Sequence, residues 1–86
     1  MADLAALAEL SHALERVALG LATDGLDTHM IAVELEVQTG GEREALAITL
    51  SYLLRHQTLS DTPDQRALDT ATDAVVLALR RLSGSR

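Results

Sequence analysis

The stretch Asp27–Gln57, DTHMIAVELEVQTGGEREALAITLSYLLRHQ, decides the fold, because two apolar blocks meet at Gly40-Gly41 and that pair suits either a helix end or a hairpin turn. In the first block Ile31, Val33, Leu35 and Val37 alternate with Ala32, Glu34, Glu36 and Gln38, the period of a strand with one wet face. The boundaries read as helical instead. Asp27 can cap an N-terminus, Ala, Leu, Glu and Gln are good helix formers, and Gly40 suits the left-handed residue that ends a helix. On a helical wheel, however, the apolar residues spread over more than half the circumference.

The second block arbitrates. Glu42 and Glu44 at its front with Arg55 and His56 at its back match a helix dipole, and Leu46, Leu50, Leu53 and Leu54 form an i, i+4, i+7, i+8 stripe. The rival pattern sets Leu46, Ile48, Leu50 and Tyr52 against Ala47, Thr49 and Ser51, with Gly40-Gly41 in a hairpin turn. If the second block is a helix, a strand at 31–38 has nothing in its own chain to pair with. The reading adopted is therefore helix for both: an all-α bundle of about four helices, dimeric. The alternative is an α+β fold with a central β-hairpin at about 30–51 flanked by two helices.

Outward from this centre the pattern is plainer. Leu4, Leu7, Leu10, Leu14, Val17 and Leu21 make one stripe, with Asp3 favourably placed in the first turn and Gly20 as a stop. Asp24-Gly25 marks a turn. Toward the C-terminus, Thr62-Pro63-Asp64-Gln65 combines a capping Thr, Pro at the first helical position and Gln three residues after the cap. Leu68, Ala71, Val75, Ala78 and Leu82 continue as a seam, Arg80 and Arg81 suit the last turn, and Ser83-Gly84 reads as the end. One domain, 1–86, is expected, with helices at 3–20, 27–39, 42–57 and 63–82 and a frayed tail at 83–86.

Composition restricts how such a bundle is held together. Hydrophobic residues are 48% of the 86, yet Phe, Trp and Cys are absent and Tyr52 is the only aromatic, so the core must be built from Leu, Ala, Val, Ile and Met. A domain this small buries only ~60% of its unfolded surface, and without disulfides or thiolate zinc the reinforcement left open is association. Val76, Leu77 and Leu79 lie partly off the last seam and Ile48 and Tyr52 off the central one, an excess of apolar surface that suggests a homodimer.

Net charge is −6, and all seven basic residues are Arg. Phosphate neutralisation needs clustered cations, and the only cluster is Arg80-Arg81 with Arg86, so neither nucleic acid nor an anionic membrane surface is an expected partner. The absence of Lys, Asn and Phe beside abundant Ala, Leu, Arg and Asp is the bias of a GC-rich bacterial genome. No charged start leads into a long apolar run, which makes a cytoplasmic protein the expectation.

Three histidines, His12, His29 and His56, are the chemical candidates. His12 and Glu15 stand three apart on one helix, within reach of a common ion, but carboxylate-bridged di-metal bundles use Glu-x-x-His twice, and here the order is reversed and single. Ser11-His12-Ala13-Leu14-Glu15-Arg16 resembles the phospho-accepting segment of two-component phosphotransfer and histidine-kinase dimerisation helices, which implies an exposed, reactive His12. Asp24-Gly25-Leu26-Asp27-Thr28 resembles the Asp-Ser-Leu turn of acyl carrier proteins, with Gly25 in place of the serine that carries the phosphopantetheine arm.

No nucleophile elbow and no phosphate cradle is present, since Gly40-Gly41 leads into an anion, and Glu34/Glu36 and Asp69/Asp73 read as wet helix faces. No catalytic residue, metal ligand or cofactor site is therefore assigned. The expected function is non-enzymatic: a helical self-association or adaptor module acting through protein contacts with a second copy or another protein. Its expected interface is the seam of the end helices, Leu7, Leu10, Leu14, Val17, Leu68, Val75, Leu79 and Leu82. The alternative is a phosphotransfer-like or acyl-carrier-like accessory protein using His12 or the Asp24-Gly25 turn.

Overall fold

In the computed structural model, which describes residues 4–59 and 65–84, Gly40 and Gly41 both have positive φ (62° and 88°) and join two helices. The hairpin alternative is thereby overturned, and no strand occurs among the described residues. The four helices are α1 (Leu4–Thr23), α2 (Thr28–Thr39), α3 (Arg43–Leu59) and α4 (Gln65–Gly84).

Local chemistry accounts for the ends. Asp27 is extended, and its carboxylate accepts the Met30 N–H at 2.9 Å, satisfying one of the free donors at the start of α2. At the other end Gly40 is left-handed, and its N–H returns to the Glu36 carbonyl at 3.2 Å. These capping residues override the alternation of Ile31, Val33, Leu35 and Val37.

Helix α1 does not stop at Gly20. It runs to Thr23 and closes in a Schellman arrangement, in which Gly25 (φ 92°) donates to the Ala22 carbonyl at 3.1 Å and Leu26 to the Leu21 carbonyl at 3.1 Å. Helix α4 likewise extends through Ser83 and Gly84 rather than fraying from 83. Asp3, the Thr62-Pro63-Asp64 start signal and the last two residues lie outside the described residues.

Helix α4 packs against all three others, whereas α2 and α3 barely touch, so the bundle is rhombic in section with α1 and α4 across its short diagonal. Small side chains suit that approach: Ala67, Ala71, Ala74 and Ala78 are buried on α4, and Ala18 on α1. The larger core side chains, Leu14, Ile31, Leu35, Leu46, Leu53, Leu68 and Val75, are all fully enclosed. Each such burial contributes about 1.5–3 kcal/mol. The Cα radius of gyration, 12.1 Å, matches the ~12 Å of a compact domain of this length.

Candidate functional site

Enclosure of those side chains moves the candidate surface. Of the eight seam residues expected at an interface, Leu14, Leu68 and Val75 have no exposure and Leu7 has 6%, while Leu10, Val17, Leu79 and Leu82 are partly buried against the same core. The end-helix seams serve the chain's own interior. Ile48, Tyr52, Val76, Leu77 and Leu79, counted from the pattern as apolar excess, are partly buried as well.

Among the described residues the exposed large apolar side chains are Leu4, Leu54 and three residues of α2, and only on α2 do they gather on one helix face. Ile31, Ala32 and Leu35 face the core without exposure, whereas Met30, Val33 and Val37 stand on the opposite side with 58%, 47% and 71% of their surface open. Spaced i, i+3, i+7, these three form a second stripe, which is why apolar residues covered so much of the helical wheel. The breadth that pointed to a strand was the mark of a helix with two apolar faces.

Beside this stripe the bundle is incompletely filled. Between the C-terminal half of α1 and α2 runs an open groove of about 740 Å³, lined by Val17, Gly20, Leu21, Leu26, Met30 and Val33, with Arg16, Asp24, His29, Glu34 and Gln38 along its edges. Gly20, exposed inside α1, is among the lining residues, and a Cβ there would stand in open space. Glu34 accepts from Gln38 Nε2 at 2.9 Å, holding both polar groups on α2's own surface.

A polar cluster lies elsewhere, between α1 and α3. Glu15, outside the leucine stripe of α1, is 8% exposed, with its Oε2 2.6 Å from His56 Nε2 and its Oε1 3.7 Å from His12 Nδ1. The His56 contact has ion-pair distance without the alignment of a linear N–H···O hydrogen bond. At that separation no ion fits between the groups, and among the described residues no set of three or more His, Asp or Glu converges on a metal position. His12 is stacked on Tyr52, ring centroids 4.5 Å apart and planes 13° apart. His29, by contrast, is exposed at the groove's edge, remote in sequence and role from this cluster.

Gly25, the position matching the carrier-protein serine, serves as the left-handed cap of α1 and has no side-chain atom to bear an arm. Glu36, one of the acidic residues read as a wet face, instead pairs across the bundle with Arg81 of α4, Nε to Oε2 at 2.7 Å.

The alternation of faces on α2 was the one sequence signal that could have located the groove. Burial of Glu15 had a weaker signal: Ser11, Glu15 and Ala18 recur at i, i+4, i+7 beside the leucine stripe. Among the described residues no helix is long and apolar enough to cross a membrane. Comparison with protein-family models, curated proteins and solved structures finds no match to this chain, so the functional reading rests on its own geometry.

Proposed function

We propose that the protein is a non-enzymatic docking module, a self-association or adaptor unit that receives a helix of a protein partner in the α1/α2 groove. The observation that carries this reading is the open stripe of Met30, Val33 and Val37 beside a groove floored by Val17, Leu21 and Leu26. An apolar channel alongside a helix suits an amphipathic helix presenting i, i+3, i+7 anchors. Val17, expected from the sequence at an interface, also lines this groove, whereas Leu7, Leu14, Leu68 and Val75 are enclosed in the core.

Either a second copy or another chain can supply such a helix. The test is heteronuclear NMR of the labelled chain, diluted from millimolar to micromolar concentration and separately titrated with short amphipathic helical peptides. Shifts centred on residues 17–21 and 30–37 in either arm are expected. Shifts absent from the groove in both arms overturn the proposal. The self-association form also requires light scattering near twice the 9.2 kDa chain mass.

A second reading rests on His12, whose imidazole is 58% exposed and stacked on Tyr52. Such a ring can take a phosphoryl group from a donor. Incubation with phosphoramidate should then add one phosphoryl mass that His12→Gln removes; an unmodified chain rejects this reading.

A further inference from the structure

The edges of the groove are unequal in charge. Asp24, at the turn between α1 and α2, and Glu34, midway along α2, are both exposed there, and Arg16 is the one basic residue that faces them as fixed positive charge among the lining residues. The whole chain carries −6. A second copy would add another −6, a net repulsion that a cationic chain would not meet.

On this basis we infer that the groove's occupant is a basic amphipathic helix belonging to another protein, with an apolar stripe flanked by Lys or Arg. The inference rests on the docking reading above and specifies the partner's chemistry. The 12 residues of α2 span ~18 Å, so the seated part of the partner is about three turns long. Its apolar side chains cover Val17, Leu21, Met30 and Val33, displacing water from the floor. Its cations lie against Asp24 and Glu34 at the solvent-exposed edge, where ion pairs add little affinity but set orientation and speed encounter. Met30 is unbranched and adaptable, so the site tolerates partners whose anchors differ in shape.

The probes are a 14-residue Leu/Lys amphipathic peptide, its Leu/Glu counterpart and a scrambled Leu/Lys peptide, followed by fluorescence anisotropy on the full chain. The expected result is saturable binding of the first alone, severalfold weaker with Asp24→Asn/Glu34→Gln and at least tenfold weaker with Val33→Asp. That last variant adds negative charge, so binding by charge alone would strengthen. Leu4→Asp makes the same change at an exposed residue (79% open) far along α1 and should leave binding intact.

Equal binding of the scrambled peptide, or binding indifferent to Val33→Asp, overturns the inference. Groove-dependent binding of the Leu/Glu peptide, or a Val33-dependent dimer, overturns the basic partner while leaving the docking function standing. Absence of any Val33-sensitive association overturns both.

Discussion

The hydroxyl of Thr49 on α3 lies 3.2 Å from the backbone carbonyl of Ser11 on α1, while the Ser11 hydroxyl lies 3.1 Å from the carbonyl of Ala45. Both hydroxyls also reach their own helices, Ser11 to Leu7 at 2.7 Å and Thr49 to Ala45 at 2.7 Å. A hydroxyl has one proton, so each donates to one of its two carbonyls at a time. The persistent consequence is steric: small side chains here let α1 and α3 close together.

Size, rather than hydrogen bonding, should therefore dominate at Ser11. Ser11→Ala leaves no carbonyl orphaned, because both acceptors belong to helical ladders, and should change stability by less than about 1 kcal/mol. Ser11→Leu should cost ~1–3 kcal/mol by overpacking. In thermal unfolding each kcal/mol corresponds to about 4–8 °C for a domain of this size. A larger loss for alanine than for leucine would reverse the assignment.

Gly40 and Gly20 should respond oppositely to replacement by alanine. Gly40 has φ 62°, so Gly40→Ala should destabilise by about 1–2 kcal/mol. Gly20 is helical with open space around it, so Gly20→Ala should stabilise by ~0.5–1 kcal/mol. Urea unfolding of both variants checks the pair, and a stabilised Gly40→Ala would contradict the left-handed cap.

The two faces of α2 should separate cleanly. Leu35→Ala empties a fully enclosed site and should cost about 2–5 kcal/mol. Val37→Ala, at a residue 71% exposed, should stay within ~0.5 kcal/mol of the parent. Comparable losses at the two positions would mean that the outer stripe is buried in solution.

Glu15 and His56 offer a measurable coupling. With the imidazole protonated, a double-mutant cycle using Glu15→Gln and His56→Ala should give a coupling of about 0.5–1 kcal/mol, limited by the half-exposed histidine. Zero coupling in urea titrations would leave the contact without a role in stability. The Arg81–Glu36 pair, with Arg81 half exposed, should likewise contribute at most about 1 kcal/mol and weaken at high salt.

Helix positions were legible in the amino-acid order because their causes are local: Asp27 caps its own third neighbour's N–H, and Gly40 tolerates a left-handed backbone wherever it occurs. The leucine stripes were legible as apolar faces for the same reason. What those faces would meet was not. Alanines on α4 and Ser11 on α1 drew the helices close enough to enclose Leu14, Leu68 and Val75, and that depends on four chain segments meeting at once. Hence the seams became core, Glu15 became a bridge to His56, and an exposed apolar stripe was left on α2, whose second face no other described helix covers.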